Sequence, residues 1–234
     1  MKIAIVTGAS GNMGQEVVRK FINEGYKVIG TVIPNDPVPM DAITIGLPGD
    51  KFEKVIVDLM NEDDSAKFID SVILKYGSID AAVLTVGGFA MGSIAETKTS
   101  DIYKQYKLNF ETAYNVARPV FTQMMEQGSG RIFIIGSKPG LSSVNSKGMV
   151  AYGLAKSLIF RLAELMNAEA KGKNVVTAVI VPSTIDTPQN RVSMPDADPA
   201  KWVKPEAIAD VIYFYCTDEA AVLREPVIKV YNNA

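Results

Sequence analysis

The chain has 234 residues, and 47% of them are hydrophobic, which is enough to bury one substantial core. Its formal net charge is −2 with Lys and Arg scattered along it, so we expect neither nucleic acid nor a membrane surface as a partner. The absence of histidine excludes Ser-His-Asp and Cys-His mechanisms and most zinc sites, and we expect no metal site.

The sequence also bears on compartment and domain number. Cys216 is the only cysteine, which excludes an internal disulfide and fits a reducing, cytoplasmic location. Because the first residues lead directly into a predicted strand, we expect no signal peptide, and no apolar run approaches the ~20 residues of a membrane span. No linker or repeat is visible, so we expect a single domain over residues 1–234.

Hydrophobic periodicity predicts strands alternating with helices along the whole chain. The predicted strands are residues 2–7, 27–32, 53–57, 80–85, 131–136, 175–181 and 227–231, and the predicted helices are residues 12–24, 63–76, 101–127, 151–171 and 205–216. A turn-rich segment from Pro34 to Asp50 is expected as an excursion after the second strand. Right-handed crossovers between such strands predict an α/β fold, with one parallel sheet covered by helices on both faces.

The first predicted strand, KIAIVT, runs into a glycine-rich turn and then a helix. Glycines let the backbone approach a pyrophosphate, while the N–H groups and dipole of the following helix favour its charge. This context predicts a dinucleotide site. Its residues are Gly8, Ser10, Gly11, Asn12, Met13 and Gly14.

Tyr152 and Lys156 lie four residues apart in AYGLAK, so on a helix they share one face. A neighbouring cation favours the ionised form of a phenol. It therefore lowers the pKa of tyrosine toward the range in which the side chain can act as an acid or base near neutral pH. Ser137 ends the apolar run RIFIIGS, and Asn109 lies further upstream in KLNF. Together the four residues form a candidate proton-transfer set.

These motifs together resemble the short-chain dehydrogenase/reductase family over essentially the whole chain. The resemblance implies a single-domain, Rossmann-type, doubly wound parallel sheet, and an NAD(P)-dependent transfer of hydride between nicotinamide and a small carbonyl or alcohol substrate. It implies that Tyr152 donates or accepts the proton, and that Lys156 lowers the pKa of Tyr152 and holds the nicotinamide ribose. Ser137 would hydrogen-bond the substrate oxygen, and Asn109 would anchor a water that links Lys156 to solvent.

The same resemblance extends the cofactor site to the ends of later strands. It assigns two residues after the third strand to the adenine, and three residues after the sixth strand to the nicotinamide carboxamide and phosphates. It also includes two residues in the turn after the fourth strand, where this sequence departs from the usual family sequence. These positions are Asp58, Leu59, Val86, Gly87, Pro182, Ile185 and Thr187, together with Tyr152 and Lys156. The first seven lie at or shortly after strand ends, so we expect them at the carboxyl edge of the sheet.

The sequence gives a weak indication of which dinucleotide binds. NAD-dependent folds of this kind place an acid at the end of the second strand, but Val32 occupies that position here. No arginine or lysine for a 2′-phosphate occurs in the glycine loop or in residues 31–36, so NADP is favoured only slightly over NAD. Asp36 lies past the usual position, and we expect it to be a solvent-exposed turn residue.

A narrower resemblance covers Val181 to Trp202, which is similar to the corresponding stretch of dihydropteridine reductases, although those enzymes lack the serine and asparagine matched by Ser137 and Asn109. A pterin reductase is therefore one alternative function, and a non-catalytic NADP-sensing regulator is another. The segment 183–204 is expected to act as a substrate lid that brings Met194 and Trp202 toward the substrate.

The family resemblance also implies a homodimer or homotetramer built on the predicted helices 101–127 and 151–171. The second of these helices carries Leu158, Phe160, Leu162 and Leu165 around more than one face, more apolar surface than its own sheet requires.

Overall fold

The computed structural model describes residues 1–39 and 43–233, so part of the predicted excursion after the second strand lies outside the described residues. The described residues form seven strands: β1 Ile3–Thr7, β2 Lys27–Val32, β3 Phe52–Ile56, β4 Ala81–Leu84, β5 Ser129–Ile135, β6 Asn174–Pro182 and β7 Val227–Val230. The seven predicted strands are confirmed, with boundaries that differ by at most two residues.

All seven strands pair in parallel in the order β3-β2-β1-β4-β5-β6-β7. The predicted doubly wound sheet is therefore confirmed. The strand order reverses between β1 and β4, and in such sheets ligands bind at this switch point outside the carboxyl ends of the strands. The candidate residues that follow β1, β3, β4, β5 and β6 consequently share one edge of the molecule.

Eight α-helices are described: α1 Asn12–Asn23, α2 Glu62–Tyr76, α3 Thr99–Tyr106, α4 Thr112–Gln127, α5 Lys138–Leu141, α6 Val150–Glu169, α7 Pro188–Ser193 and α8 Pro205–Phe214. Short 3₁₀ turns occur at Val144–Ser146, Pro199–Lys201 and Asp218–Ala220. The two short α-helices and the 3₁₀ turns are absent from the sequence prediction because elements of three to six residues contain too little of a helical period to detect. Within the described part of the chain, no helix has both the length and the hydrophobicity to cross a bilayer.

Two hydrophobic cores lie on opposite faces of the sheet. Helices α2, α4 and α6 cover one face, with Ile69, Val116 and Ile159 fully buried among the side chains of the strands. Helices α1 and α8 cover the other face through residues such as Phe21 and Ile212. Burial on both faces explains why β1 and β4 are continuous apolar runs without alternation.

The prediction of one continuous helix over residues 101–127 was wrong at one turn. A π-helix over Lys107–Glu111 separates α3 from α4, and it contains Asn109. The polar side chain of Asn109 is buried and bonds to the loop after β4, so this turn is shaped by a tertiary contact. Single π turns inside helices are often found at functional sites.

Candidate active site

The glycine loop is closed by its own backbone. Gly8 has a φ of +64°, a conformation that L side chains rarely adopt, and its carbonyl oxygen accepts a hydrogen bond of 3.0 Å from the amide of Gly11. A side chain at Gly14 would collide with that same carbonyl oxygen. Gly11 precedes the first turn of α1 and has no side chain to occupy the turn's free N–H groups, so those groups remain available to an anion.

Two polar side chains of the loop reach other segments. The Ser10 hydroxyl donates a hydrogen bond to Asp36, which lies beyond the end of β2. The Asn12 side-chain amide donates to Gln189 on α7 over 2.7 Å. Met13 is buried in the first turn of α1. The loop is thus in contact with the turn after β2 and with the segment that follows β6.

Asp36 does not occupy the solvent-exposed position that the sequence suggests. Asn35 has a φ of +59°, and the amide of Asp36 donates to the carbonyl of Ile33, so the chain reverses immediately after β2. This reversal carries the carboxylate back to Ser10. The expectation failed because it depended on the conformation of one asparagine in a turn.

The ends of β1 and β4 are tied together at the switch point. The amide of Thr85 donates to the Thr7 hydroxyl over 3.0 Å, and the Thr85 hydroxyl donates to the Thr7 carbonyl over 2.6 Å. Val86 continues this loop and would contact a Cβ placed on Gly8. The glycine loop and the turn after β4 are therefore packed closely against each other.

Asn109 fixes the turn after β4 through its side-chain amide. Its Oδ1 accepts from the amide of Gly88 over 3.0 Å, and its Nδ2 donates to the carbonyl of Gly88 over 2.9 Å and to Gln105 Oε1 over 2.8 Å. A Cβ placed on Gly87 would lie 2.7 Å from Asn109 Oδ1 and 3.1 Å from Lys156 Nζ. The structure thus brings Gly87, Asn109 and Lys156 together, and it adds Gln105, which no local sequence signal identifies.

Ser137 and Tyr152 also meet. Their hydroxyl groups lie beside each other, and Ser137 Oγ accepts a hydrogen bond of 3.2 Å from the amide of Gly140, which makes Ser137 the N-cap of α5. Burial raises the pKa of Tyr152, and the neighbouring Ser137 hydroxyl opposes that rise. The ring of Phe89 packs edge-on against that of Tyr152, with 5.2 Å between centroids.

Lys156 is a buried cation held by a main-chain carbonyl. Only 4% of the residue is exposed, and Nζ donates to the carbonyl of Ile135 over 2.7 Å. Burial lowers the pKa of Lys156 to about 8. The sequence predicts that this lysine lowers the pKa of Tyr152, whereas burial dominates and leaves the tyrosine pKa above its usual value.

The predicted adenine-binding pair follows β3. Asp58 is exposed, and its Oδ1 accepts from the amide of Met60 over 3.0 Å, which closes a tight turn. Leu59 is buried, and its carbonyl accepts from the Asn115 side chain over 3.0 Å. Asp58 therefore stands at the rim of the carboxyl edge while Leu59 anchors the turn beneath it.

The segment after β6 is folded. Pro182 is the last residue of β6, Ile185 pairs with Val203 in an isolated parallel bridge, and the Thr187 hydroxyl caps α7 by accepting from the amide of Asn190 over 3.2 Å. Trp202 is buried, and its carbonyl accepts from Asn232. The residue expected to move toward the substrate is thus packed at the base of the segment.

Comparison with known proteins agrees with this arrangement. The family model described as short chain dehydrogenase matches residues 2–198. The chain is 30% identical over 192 residues to an acetoacetyl-CoA reductase from Acinetobacter sp. (strain RA3849), covering 80% of this chain and 75% of the relative. It is 25% identical to the 3-oxoacyl-(acyl-carrier-protein) reductase FabG of Thermotoga maritima, covering 98% and 96% of the two chains.

Solved structures share the fold. A short-chain dehydrogenase/reductase from Burkholderia xenovorans superimposes with a TM-score of 0.87 at 24% identity, covering 99% of this chain and 95% of that one. The aldohexose dehydrogenase of Thermoplasma acidophilum superimposes with a TM-score of 0.82 at 23% identity, covering 98% and 92%. With the glycine loop, the parallel sheet and the family match in agreement, the chain belongs to the short-chain dehydrogenase family and is an NAD(P)-dependent oxidoreductase.

Proposed function

We propose that the protein interconverts a small carbonyl compound and its alcohol, with Tyr152 as the general acid or base. The proximity of the Ser137 and Tyr152 hydroxyl groups carries this proposal, because it sets a proton donor beside a second polar group at the carboxyl edge of the sheet. Lys156 lies one helical turn from Tyr152 on α6, at the same edge.

The glycine loop supports a dinucleotide as the partner of this site. The collision of a side chain at Gly14 with the carbonyl of Gly8 leaves a cradle that only backbone can line. The adjacent N-terminus of α1 favours the negative charge of a pyrophosphate. We propose that Gly8 to Gly14 hold the phosphates, that Asp58 and Leu59 border the adenine, and that Val86, Gly87 and the Pro182–Thr187 segment border the remainder.

Bound nicotinamide would supply or accept the hydride. A tyrosine whose pKa is raised is protonated at neutral pH, so Tyr152 is suited to donate a proton to a carbonyl oxygen. The Ser137 hydroxyl would donate a hydrogen bond to that oxygen as negative charge develops on it. Lys156, with a pKa of about 8, is mostly cationic at pH 7 and would favour the phenolate that remains.

The water that the family resemblance assigns to Asn109 is proposed to bind a different group of the same turn. The amide group of Asn109 is engaged by Gly88 and Gln105, so we propose that the main chain of the π-helix, rather than the side chain, holds the water that links Lys156 to solvent. The side chain then positions the turn after β4, which includes Gly87.

The pterin reductase remains the alternative, and the similarity of Val181 to Trp202 to dihydropteridine reductases supports it. The exposed ring of Phe89 beside Tyr152 offers an aromatic surface to a flat substrate. A non-catalytic NADP sensor would not need the intact proton-transfer set. The two relatives described above suggest 3-oxoacyl thioesters as a further carbonyl class to assay.

One screen separates these functions. Oxidation of NADPH and NADH would be measured with ketones, aldehydes, quinones, acetoacetyl-CoA and quinonoid dihydropterin, using Tyr152→Phe as the matched control. Turnover of a carbonyl substrate that disappears in Tyr152→Phe supports the proposal. Turnover of dihydropterin alone would favour the alternative, and dinucleotide binding without any turnover would favour the sensor.

The proposal includes a homo-oligomer built on α4 and α6. On α6, Leu158 and Leu165 point outward and are 39% and 55% exposed, whereas Leu162 is buried in the core. An aromatic row also runs from the end of α3 through the π-helix into α4, with 5.3 Å between the rings of Tyr106 and Phe110 and 6.0 Å between the rings of Phe110 and Tyr114. We propose that a second copy of the chain covers this surface, and that the enzyme acts in the cytoplasm.

The slight preference for NADP, which the presence of Val32 at the end of β2 suggests, is a prediction. Its only basis is the absence of an acid at the end of β2 and of a cation in the same region. The surroundings of the adenosine ribose decide between the two dinucleotides.

A further inference from the structure

Segment 183–204 is attached at its beginning to the end of β7 and the residue that follows it. The Ser183 hydroxyl donates a hydrogen bond of 2.7 Å to the carbonyl of Tyr231. The amide of Ser183 also donates to the carbonyl of Val230, the last residue of β7, over 3.1 Å. The segment therefore leaves β6 with both a side-chain bond and a main-chain bond to the neighbouring strand end.

The other end of the same segment is attached to Asn232. The side-chain amide of Asn232 donates to the carbonyl of Trp202 over 2.9 Å and to the carbonyl of Ala200 over 3.3 Å. Asn232 has a φ of +51°, a left-handed conformation that asparagine adopts more readily than most residues with a side chain. Two successive residues after β7, Tyr231 and Asn232, are thus bonded to the two ends of one segment.

The attachment continues into the residues proposed to border the dinucleotide. Val203, which follows the tryptophan along the chain, is buried, and its amide donates to the carbonyl of Thr184 over 2.9 Å. Its carbonyl accepts from the amide of Asp186 over 2.8 Å, so Ile185 lies between two bonds to the same residue. Thr187, the N-cap of α7, comes next. The positions of Ile185 and Thr187 are therefore linked through this bridge to the residues after β7.

Tyr231 also contacts the segment that carries Ser137. The Nζ of Lys138 lies 4.3 Å from the centroid of the Tyr231 ring, which is a cation–π contact. Lys138 is the first residue of α5 and follows Ser137 directly. The segments after β5 and β6 are thus both attached to the residues after β7.

We infer that Tyr231 and Asn232 are positioning residues, which hold the segments after β5 and β6 in the arrangement that binds dinucleotide and substrate. The inference rests on the proposed function of these segments. With both ends of segment 183–204 held, motion on binding is confined to its central residues, 188–198. A base that is already ordered reduces the conformational entropy lost on binding, so its loss weakens binding and leaves the proton-transfer groups unchanged.

The test uses Asn232→Gly, which removes the amide and keeps a residue that tolerates the positive φ. Asn233→Gly makes the same change at the next, exposed position and is the control. Ser183→Ala removes the hydroxyl that bonds Tyr231 and keeps the main-chain bond of the same residue. Each protein would be measured for the dissociation constant of the dinucleotide, for KM, kcat and the pH profile of kcat, and for acrylamide quenching of Trp202, the only tryptophan.

We expect Asn232→Gly to weaken dinucleotide binding and raise KM by about three- to tenfold each, the effect of losing one or two hydrogen bonds. Its kcat should stay within about twofold of the wild type with the same pH profile, because Tyr152 and Lys156 keep their surroundings. The quenching constant of Trp202 should rise about twofold as the base of the segment loosens. Ser183→Ala should weaken binding in the same direction, and the control should match the wild type in every quantity.

An unchanged dissociation constant and KM in both Asn232→Gly and Ser183→Ala would overturn the inference, even with Trp202 more accessible, because the contacts would then only support the fold. A shifted pH profile would also overturn it, since the effect would then lie in the proton-transfer groups. If Asn232→Gly does not fold, the dissociation constant and KM of Ser183→Ala decide. If the wild type turns over no carbonyl compound, the proposed function fails, and the dissociation constant and the quenching still test the positioning role.

Discussion

At the scale of single residues, Tyr152 has the most direct role in the proposed chemistry. Tyr152→Phe removes the hydroxyl that lies beside Ser137 and preserves the ring that packs against Phe89. We expect turnover to fall by at least about a hundredfold, the usual contribution of a general acid, while dinucleotide affinity changes little. Turnover on the best substrate and fluorescence titration of cofactor would measure the two effects. Turnover close to that of the wild type would contradict carbonyl reduction by this residue.

Lys156 illustrates a residue whose burial destabilises the fold. A pKa lowered from 10.5 to about 8 corresponds to a cost of about 3 kcal/mol for the charged form. The unfolded chain binds the proton more tightly, so this cost is complete below pH 8 and disappears as the pH rises toward 10.5. Replacement by methionine would remove this cost. It would also leave the carbonyl of Ile135 without its 2.7 Å hydrogen bond, which would destabilise the fold by about 1 kcal/mol.

We therefore predict that Lys156→Met loses turnover yet gains about 1–2 kcal/mol in the free energy of unfolding at pH 7. Urea titrations at pH 7 and pH 10 would show the gain shrinking at the higher pH. Lys171→Met, which alters an exposed lysine just after α6, is the control and should leave both quantities unchanged. A Lys156→Met protein less stable than the wild type at pH 7 would refute the burial argument.

At the scale of elements, the packing of α5 on α6 sets the spacing of the proton-transfer set. A Cβ on Gly140 would lie 2.7 Å from the Cβ and carbonyl carbon of Lys156. Because these atoms belong to a helix and cannot move aside cheaply, Gly140→Ala should destabilise the protein by about 1–3 kcal/mol. It should also lower turnover, since α5 begins at its N-cap Ser137.

Gly49→Ala provides the matched comparison for this packing. No atom outside its chain neighbours lies within 4 Å of the added methyl group, and its φ is not positive, so stability should change by less than about 0.5 kcal/mol. Thermal unfolding and turnover of the two variants would be compared directly. Equal behaviour of the two proteins would show that α5 is free to shift.

The elements also show how far sequence reasoning extends. The strands and the glycine loop were predictable because their signals are local, such as the run KIAIVT followed by Gly8, Gly11 and Gly14. The π-helix was not, because its cause is the pairing of Asn109 with Gly88, 21 residues away. The position of Asp36 depended on the backbone of one residue, which propensity does not determine.

At the scale of the whole molecule, the outer surface of α6 predicts self-association. Light scattering should show a species larger than the 25.3 kDa chain at micromolar concentration. Leu165→Glu places a charge on the proposed interface and should shift the protein toward the monomer. Leu74→Glu alters a residue that is 90% exposed on α2 and should have no effect. A wild type that is monomeric at every concentration would exclude the interface.

The contact between Asn12 and Gln189 joins the glycine loop to the predicted lid, segment 183–204. We predict that opening of α7 breaks this hydrogen bond and exposes the phosphate cleft, so that Gln189→Ala speeds cofactor dissociation several-fold without altering the chemical step. Stopped-flow release and single-turnover rates would separate the two quantities. An unchanged dissociation rate would show that the lid and the loop move independently.

The hydrogen bond between Asn12 and Gln189 also bears on the order in which the two ligands bind and leave during turnover. We predict that a dinucleotide enters beneath α7, and that a carbonyl compound approaches Tyr152 from the side of Phe89. On this prediction the two ligands use different access routes, and the hydrogen bond between Asn12 and Gln189 restrains the route of the cofactor. We expect an ordered kinetic scheme in which the dinucleotide binds first and departs last. In this scheme, breaking the hydrogen bond between Asn12 and Gln189 limits the rate of turnover.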